Sequence, residues 1–383
     1  MGERKGTFQQ EIADWLGASP ERVHLYWKGR IALYALLKAM GVEKGDEVIL
    51  PAFTCVVVPN AVIQAGGKPV YVDIDLETLN AAPEGIRTAI GERTKIIIVQ
   101  NTFGLSSNVE VINEIAKEQG VQTIEDCTHG FGGTYKGYPN GTHCDAAFYS
   151  TQWNKPFSSG IGGFAFVNDE GLSKALEELN EAKVPPGRKA VLLLRLLYFA
   201  RTRLLTDRTY WTLLQLYRKL SKDGIVLGSS QKEEVEEPGM PDDRIVDLSE
   251  TQAELGLRDL SHLEQRLEAQ KENAATYTRF LKERGKTYVK EELFSDHAFL
   301  KYPIFVRDRP AFFELAEKAK IPLGDWFLSP LHPVEGDLSP WSLDVEEVPV
   351  AREKAEHVVS LPTTPDRIDR VLAFLDEHQA YLI

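Results

Sequence analysis

Basic residues are in short supply in this sequence. Lys and Arg number 44 against 57 Asp and Glu over 383 residues, a formal charge of −13 with a pI near 5.2. A nucleic-acid surface needs concentrated positive charge, so that class of partner is excluded. Cysteine is scarcer: Cys55, Cys127 and Cys144 are too few for a disulfide framework, and the odd count fits a reducing compartment. Cys127, His129, His143 and Cys144 match no closed zinc-site spacing, so no metal is expected. No stretch reaches the ~20 apolar residues of a membrane-spanning helix. The opening Met1-Gly-Glu-Arg-Lys-Gly6 has no apolar run behind it, so no signal peptide is expected and the cytoplasm is the expected location. Internal repeats and low-complexity tracts are absent as well.

The composition, 43% apolar and 26% charged, is that of a folded globular protein. A chain of 383 residues exceeds one ordinary core, and two domains are expected. In the first half, β-rich runs alternate with helical ones. Gly45–Cys55 reads as a strand leading to a loop, Lys68–Asp75, Thr94–Gln100 and Val121–Glu125 as β-runs, and Asn60–Gly66, with its glycine stop, and Val109–Gln119 as helices. That rhythm implies an α/β fold with a mainly parallel sheet covered on both faces. Ligands of such sheets sit beyond the strand C-termini, and Asn101, Asp126, Ser150 and Lys155 all follow β-runs.

The stretch Phe148-Tyr-Ser-Thr-Gln-Trp-Asn-Lys155 is followed by a Gly162–Gly163 pair and bounded by apolar runs. A solvated loop is the bland reading of Lys155. The upstream Ile124-Glu-Asp126-Cys-Thr-His129 argues otherwise, because a β-run ends there in an acid with an imidazole three residues on. A lysine amine that condenses with an aldehyde, and a carboxylate that keeps a pyridine nitrogen protonated, are what pyridoxal phosphate requires. Gly29 opens the helix-forming run Ile31–Met40, and a helix N-terminus attracts an anion such as the cofactor phosphate.

These residues resemble the DegT/DnrJ/EryC1/StrS sugar aminotransferases, a branch of the fold-type-I pyridoxal phosphate enzymes, from about Phe8 to about Leu372. The resemblance implies an aspartate-aminotransferase-like fold: a large cofactor domain over 1–244 and a small α+β domain over 245–383. It implies transfer of an amino group, glutamate being the expected donor, to a keto-sugar on a nucleotide, in surface-polysaccharide or secondary-metabolite sugar biosynthesis. Lys155 and Asp126 take the roles just given, His129 contacts the ring, and Ser150, five residues before the lysine, donates to the phosphate. Within the family a histidine in place of that lysine marks sugar dehydratases, and Lys155 speaks against that reaction. A homodimer is implied, since fold-type-I sites are usually built between two subunits.

The chain departs from the family at several points. The phosphate turn, Ser-Gly-Thr in the family, is Lys28-Gly29-Arg30, two cations that suit direct charge pairing with phosphate. Cys55 stands where a ring-stacking aromatic is common, leaving Phe53 or Trp153 to stack. An asparagine that reaches the neighbouring subunit's phosphate is missing from Arg244-Ile-Val-Asp247, with Arg244 its candidate substitute. His332 matches a histidine near the substrate cleft and is also read as structural. About 181–240 is a divergent helical insertion, rich in Leu and Arg over 188–220, with an acidic connector at Gln231–Pro238 expected to be mobile. Peripheral membrane contact is one reading of 188–220. Packing over the site or against a partner subunit is the favoured one, since the apolar positions run nearly all round the helix. Two other classes stay open: a different pyridoxal phosphate reaction, of lyase or dehydratase type, and a non-catalytic protein binding a partner or membrane through 188–220.

Overall fold

In the computed structural model, residues 2–204, 209, 232–240, 244–292, 294–364 and 368–383 are described. The helical run expected through Trp211 to Leu220 lies outside them. Helix α1 (Glu3–Leu16) ends at Gly17, whose φ of 65° is the left-handed conformation glycine tolerates. It leads to β1 (Val23–Tyr26) and α2 (Gly29–Ala39). Then come β2 (Glu47–Pro51), β3 (Thr54–Cys55), α3 (Val57–Ala65), β4 (Lys68–Val72), α4 (Pro83–Ala89), β5 (Thr94–Gln100), α5 (Val109–Gln119) and β6 (Gln122–Asp126). A small hairpin, β7 (Thr134–Tyr135) with β8 (Tyr138–Pro139), precedes β9 (Ala146–Ser150), β10 (Gly163–Val167), α6 (Glu170–Asn180) and α7 (Arg188–Leu204).

Seven of these strands form one sheet in the order β1-β10-β9-β6-β5-β2-β4. The pairs β9·β6, β6·β5, β5·β2 and β2·β4 are parallel, while β1 and β10 add an antiparallel edge. The central strands are apolar throughout, as a sheet covered on both faces requires: Ile96 to Val99 are all buried. In the middle of the sheet, β5, β6 and β9 bring Gln100, Asp126 and Phe148 into neighbouring register at their C-terminal ends.

The segment expected to be an acidic mobile connector is ordered over its described part. Helix α8 (Lys232–Glu236) is anchored by Glu234, which is 1% exposed and ion-paired with Arg30. Helix α9 (Glu250–Leu260) opens on a capping box, Ser249 and Gln252 bonding each other's backbone, and packs along α1. After Ser261-His262 the long helix α10 (Leu263–Glu283) follows.

The C-terminal part pairs β11 (Tyr302–Phe305) antiparallel with β13 (Val358–Leu361), with α11 (Arg309–Lys318), α12 (Pro349–His357) and α13 (Ile368–Glu377) alongside. Its strand β12 (Leu331–His332) crosses to the large sheet's side and pairs parallel with β3, setting His332 opposite Cys55. Through that pairing the distant C-terminal sequence reaches the strand-end region.

Candidate active site

Helix α2 begins hard against the end of β9. A Cβ on Gly29 would come 2.9 Å from the Tyr149 carbonyl oxygen and 3.0 Å from Ser150 Cβ; one on Gly163 would fall 2.4 Å from the Gly29 nitrogen. Only glycine at both positions lets the helix start, Ser150 and β10 converge. No side chain caps the first turn of α2, so its N-terminal N–H groups and dipole face this junction. Lys28 stands at the N-cap position, and burial with Arg30 nearby lowers its ammonium to about 7. Uncapped N–H groups, a hydroxyl and a cation whose charge needs an anion make a fitting cradle for phosphate.

Arg30 has a different role from the phosphate contact expected of it. Its guanidinium is ion-paired with Glu234, both side chains being almost fully buried. A cation so covered is stable only against a carboxylate. The Glu234 carbonyl also accepts from Asn60 Nδ2 (2.8 Å), and Asn60 Oδ1 in turn accepts from Trp341 Nε1 (2.7 Å).

Lys155 and Asp126 face one another electrostatically beyond the strand ends. Burial brings the Lys155 ammonium down to about 8, with Cys55 and Asp126 pulling the other way. Burial raises the Asp126 carboxyl, and Thr128, whose N–H donates at 2.9 Å, and Lys155 counter it. A buried carboxylate beside a near-neutral amine has the chemistry to hold a protonated ring nitrogen while the amine meets an aldehyde. The residues present therefore fit pyridoxal phosphate.

His129 is kept neutral, its basicity pushed well down by burial first and then by Lys155, His332 and Lys301. Its Nδ1 accepts from the Phe103 N–H at 3.3 Å, so the hydrogen-bond network assigns the ring proton to Nε2 and leaves a donor. His332 is also neutral near pH 7, lowered to about 4 chiefly by burial, and its Nδ1 accepts from the Leu328 N–H at 3.2 Å.

Three residues expected near the cofactor are engaged by the protein itself. Phe53 turns into the core, its ring 4.6 Å from that of Phe327, because a phenyl group gains more among other rings than at a polar strand end. Trp153 packs instead on Tyr198 of α7 at 5.8 Å. Asn101 is engaged beneath the site, its Nδ2 donating to Glu125 Oε1 and its Oδ1 accepting from the Ser107 N–H, each at 2.8 Å. Cys55 is half-buried, opposite His332 in the β3–β12 pairing. Arg244 is exposed on the approach to α9.

The aromatic that does reach this place was not read from the sequence. The Trp326 ring stacks on His129 with centroids 4.5 Å apart and 2° between planes, and Lys155 Nζ lies 4.9 Å from its centre. Its only sequence signal is the aromatic pair Trp326-Phe327 ahead of Ser329-Pro-Leu-His332.

A mainly parallel α/β sheet with a lysine, a carboxylate, a neutral imidazole and an anion-binding helix start at its strand ends defines a class of pyridoxal phosphate-type folds. Within that class the chain belongs to the DegT/DnrJ/EryC1/StrS aminotransferase family, whose pattern matches residues 1–190 and 212–374. It is 37% identical over 180 residues to UDP-2-acetamido-2-deoxy-3-oxo-D-glucuronate aminotransferase of Pseudomonas aeruginosa, 47% of this chain and 50% of that protein. With GDP-perosamine synthase of Vibrio cholerae it shares 29% over 188 residues, 49% of this chain and 51% of the other. The chain thus spans about half the length of these curated relatives. A longer match, 28% over 361 residues, covers 93% of this chain and 81% of the pleiotropic regulatory protein of Geobacillus stearothermophilus. Among solved structures, a DegT DnrJ EryC1 StrS aminotransferase from Brucella abortus has a TM-score of 0.76 at 22% identity, covering 99% of this chain and 91% of that one. Ntda from Bacillus subtilis, solved with bound cofactor pmp, has a TM-score of 0.73 at 22% identity, covering 98% and 77%. The fold is that of these aminotransferases.

Proposed function

We propose that this protein is a pyridoxal phosphate-dependent aminotransferase that moves an amino group from an amino acid, with glutamate the expected donor, to a keto-sugar carried on a nucleotide. The observation that carries the reading is the near-neutral Lys155 amine under the influence of Asp126 at the strand ends. Relatives named for a UDP-linked uronate and for GDP-perosamine support the nucleotide-sugar part.

Gly29, Lys28 and Ser150 would hold the cofactor phosphate, Asp126 its ring nitrogen, His129 its ring hydroxyl and Lys155 its aldehyde carbon. Bound there, the cofactor supplies an electrophilic carbon for the amino group and a protonated ring that holds an electron pair. The chain's own part is proton handling and positioning. Lys155 Nζ, poised near pH 8, takes the proton from the donor's α-carbon. Asp126, acting through its charge, keeps a proton on the ring nitrogen. His129, neutral and donating from Nε2, orients the ring without adding positive charge. Trp326, whose ring lies against Lys155, and His332, close enough to feel its charge, would meet the sugar acceptor. A cytoplasmic homodimer, its site completed by the partner copy, belongs to the same reading.

The test is an absorption spectrum of the purified protein with and without glutamate. A band near the visible edge that shifts with glutamate, together with formation of a keto acid, is expected. The Lys155→Ala protein should show no such shift. A shift that persists without Lys155 would refute its assignment, and a band without keto product would point to another reaction on an amino acid.

A further inference from the structure

Helix α7 breaks the charge pattern of the rest of the molecule. Its 17 residues, Arg188–Leu204, carry Arg188, Lys189, Arg195, Arg201 and Arg203 and no acid, in a chain whose formal charge is −13. One side of the helix is fixed to the Lys155 loop. Leu194 is 1% exposed and packs against Gly160, Tyr198 tilts against Trp153, and the Arg201 guanidinium donates to the Trp153 carbonyl at 3.3 Å. The other side is a stripe of uncovered apolar groups. Leu192, Leu196 and Phe199 follow one another at i, i+4 and i+7, with exposures of 60%, 58% and 60%, and Leu193 beside them is 41% exposed. Among the described residues seven large apolar side chains are exposed, and four of them sit on this helix, so they form a patch rather than a scatter. Arg203 lies over the Phe199 ring at 5.9 Å, and Arg188, Lys189 and Arg195 flank the stripe.

We propose that α7 is an interfacial helix that seats the protein on an anionic lipid surface, with Leu192, Leu196 and Phe199 entering the headgroup boundary and the flanking cations meeting lipid phosphates. Among the described residues no helix is long and apolar enough to cross a membrane, so α7 would lie in the surface rather than span it. Charge selects this occupant. A symmetric contact of α7 with its own copy would set like charges against like, whereas an anionic leaflet complements the cations beside the stripe, Arg188, Lys189, Arg195 and Arg203. Each cation near such a leaflet raises partitioning by about fivefold. The buried side of the helix then carries a consequence. Trp153, held by Tyr198 and Arg201, stands two residues before Lys155, so a helix lying in the leaflet brings the Lys155 loop to the membrane surface.

The test is sedimentation of the cofactor-loaded protein with vesicles, a readout independent of turnover, so its failure leaves the aminotransferase reading intact. Equimolar phosphatidylcholine and phosphatidylglycerol vesicles should carry the protein down at low salt. Phosphatidylcholine alone should do so at least about tenfold less, and high salt should release it. The double substitution Leu196→Glu and Phe199→Glu, at two exposed positions, should cut binding by about tenfold or more with an unchanged circular dichroism spectrum and melting temperature. The pair Arg188→Gln and Arg195→Gln should weaken binding to the anionic vesicles by about 25-fold while leaving binding to phosphatidylcholine alone unchanged. Leu76→Glu, an exposed apolar position elsewhere on the surface, should leave binding unchanged. Absence of sedimentation with anionic vesicles at low salt would overturn the proposal. So would binding that the α7 substitutions leave intact, or a Glu variant that dissociates a dimer in light scattering without any lipid effect, which would make a second copy the occupant.

Discussion

Cofactor-free protein, titrated with an amine-selective reagent, gives direct access to the state of Lys155. Burial takes this ammonium from 10.5 to about 8. At pH 8 about half of the Lys155 amines are then neutral, against about one in 300 for an ordinary lysine, a difference of about 150-fold in nucleophile. Competitive labelling over pH 6 to 11, read by mass spectrometry of the peptide carrying Lys155, should show a midpoint near 8 while surface lysines label near 10.5. Asp126 pulls against the shift, so Asp126→Asn should move the midpoint lower. The same proton appears in stability. The unfolded chain keeps it up to about 10.5 and the folded one releases it near 8, so the folded state gains stability as pH rises between those values. Denaturant titrations of the Lys155→Met protein should lack that rise. A labelling midpoint near 10 would refute the picture of a desolvated, near-neutral amine, and with it the proton-transfer role given to Lys155.

Further outcomes concern the surroundings of that amine. Lys28 is charged below about 7, so inorganic phosphate measured by calorimetry should bind the cofactor-free protein more tightly at pH 6 than at pH 8, and Lys28→Met should flatten the dependence. Gly29→Ala drives a methyl group to 2.9 Å from the Tyr149 carbonyl oxygen and should cost about 1–3 kcal/mol in denaturant unfolding, with weaker cofactor retention. Glu234→Ala takes a buried carboxylate from the Arg30 guanidinium and should destabilise by about 3–5 kcal/mol, whereas Glu254→Ala, whose ion pair with Arg4 is half exposed, should change stability by less than about 1 kcal/mol. Cofactor binding should quench the fluorescence of Trp326, and Trp326→Phe should lose that component while keeping the lysine-dependent absorption band.

Much of the strand-end chemistry was legible because it is local. Asp126 closes an apolar β-run, Ser150 closes the next, and Lys155 follows within five residues, so period and spacing suffice to place them beyond the sheet. Phe53 was misplaced for a reason the pattern does not carry: two residues after β2 the chain can aim a ring at the site or at the core, and packing against Phe103 and Phe327 decides. Trp326 lies 171 positions after Lys155 in the chain and reaches it only because β12 pairs with β3, a long-range register that single-sequence reading does not show. The stretch around Glu234 is rich in acids and so resembles a solvated linker; the burial of one of those acids depends on a cation some 200 residues earlier. On α7 the apolar positions run nearly all round, and only the packed structure separates the side held by Gly160 and Trp153 from the side left open.

The ion pair between Arg30 and Glu234 also bears on how the divergent insertion could have been acquired and whether it could be lost. Its return limb is stitched to helix α3 by Asn60 and Gln64, and through Asn60 to the C-terminal part: Asn60 donates to the Glu234 carbonyl and accepts from both Trp341 Nε1 and the Gly239 N–H, while Gln64 Oε1 accepts from the Met240 N–H. A shortened protein that excises everything up to Pro238 would remove the carboxylate that pairs with the buried Arg30 guanidinium beside the glycine turn. One that spares residues 232–240 would keep the seam closed.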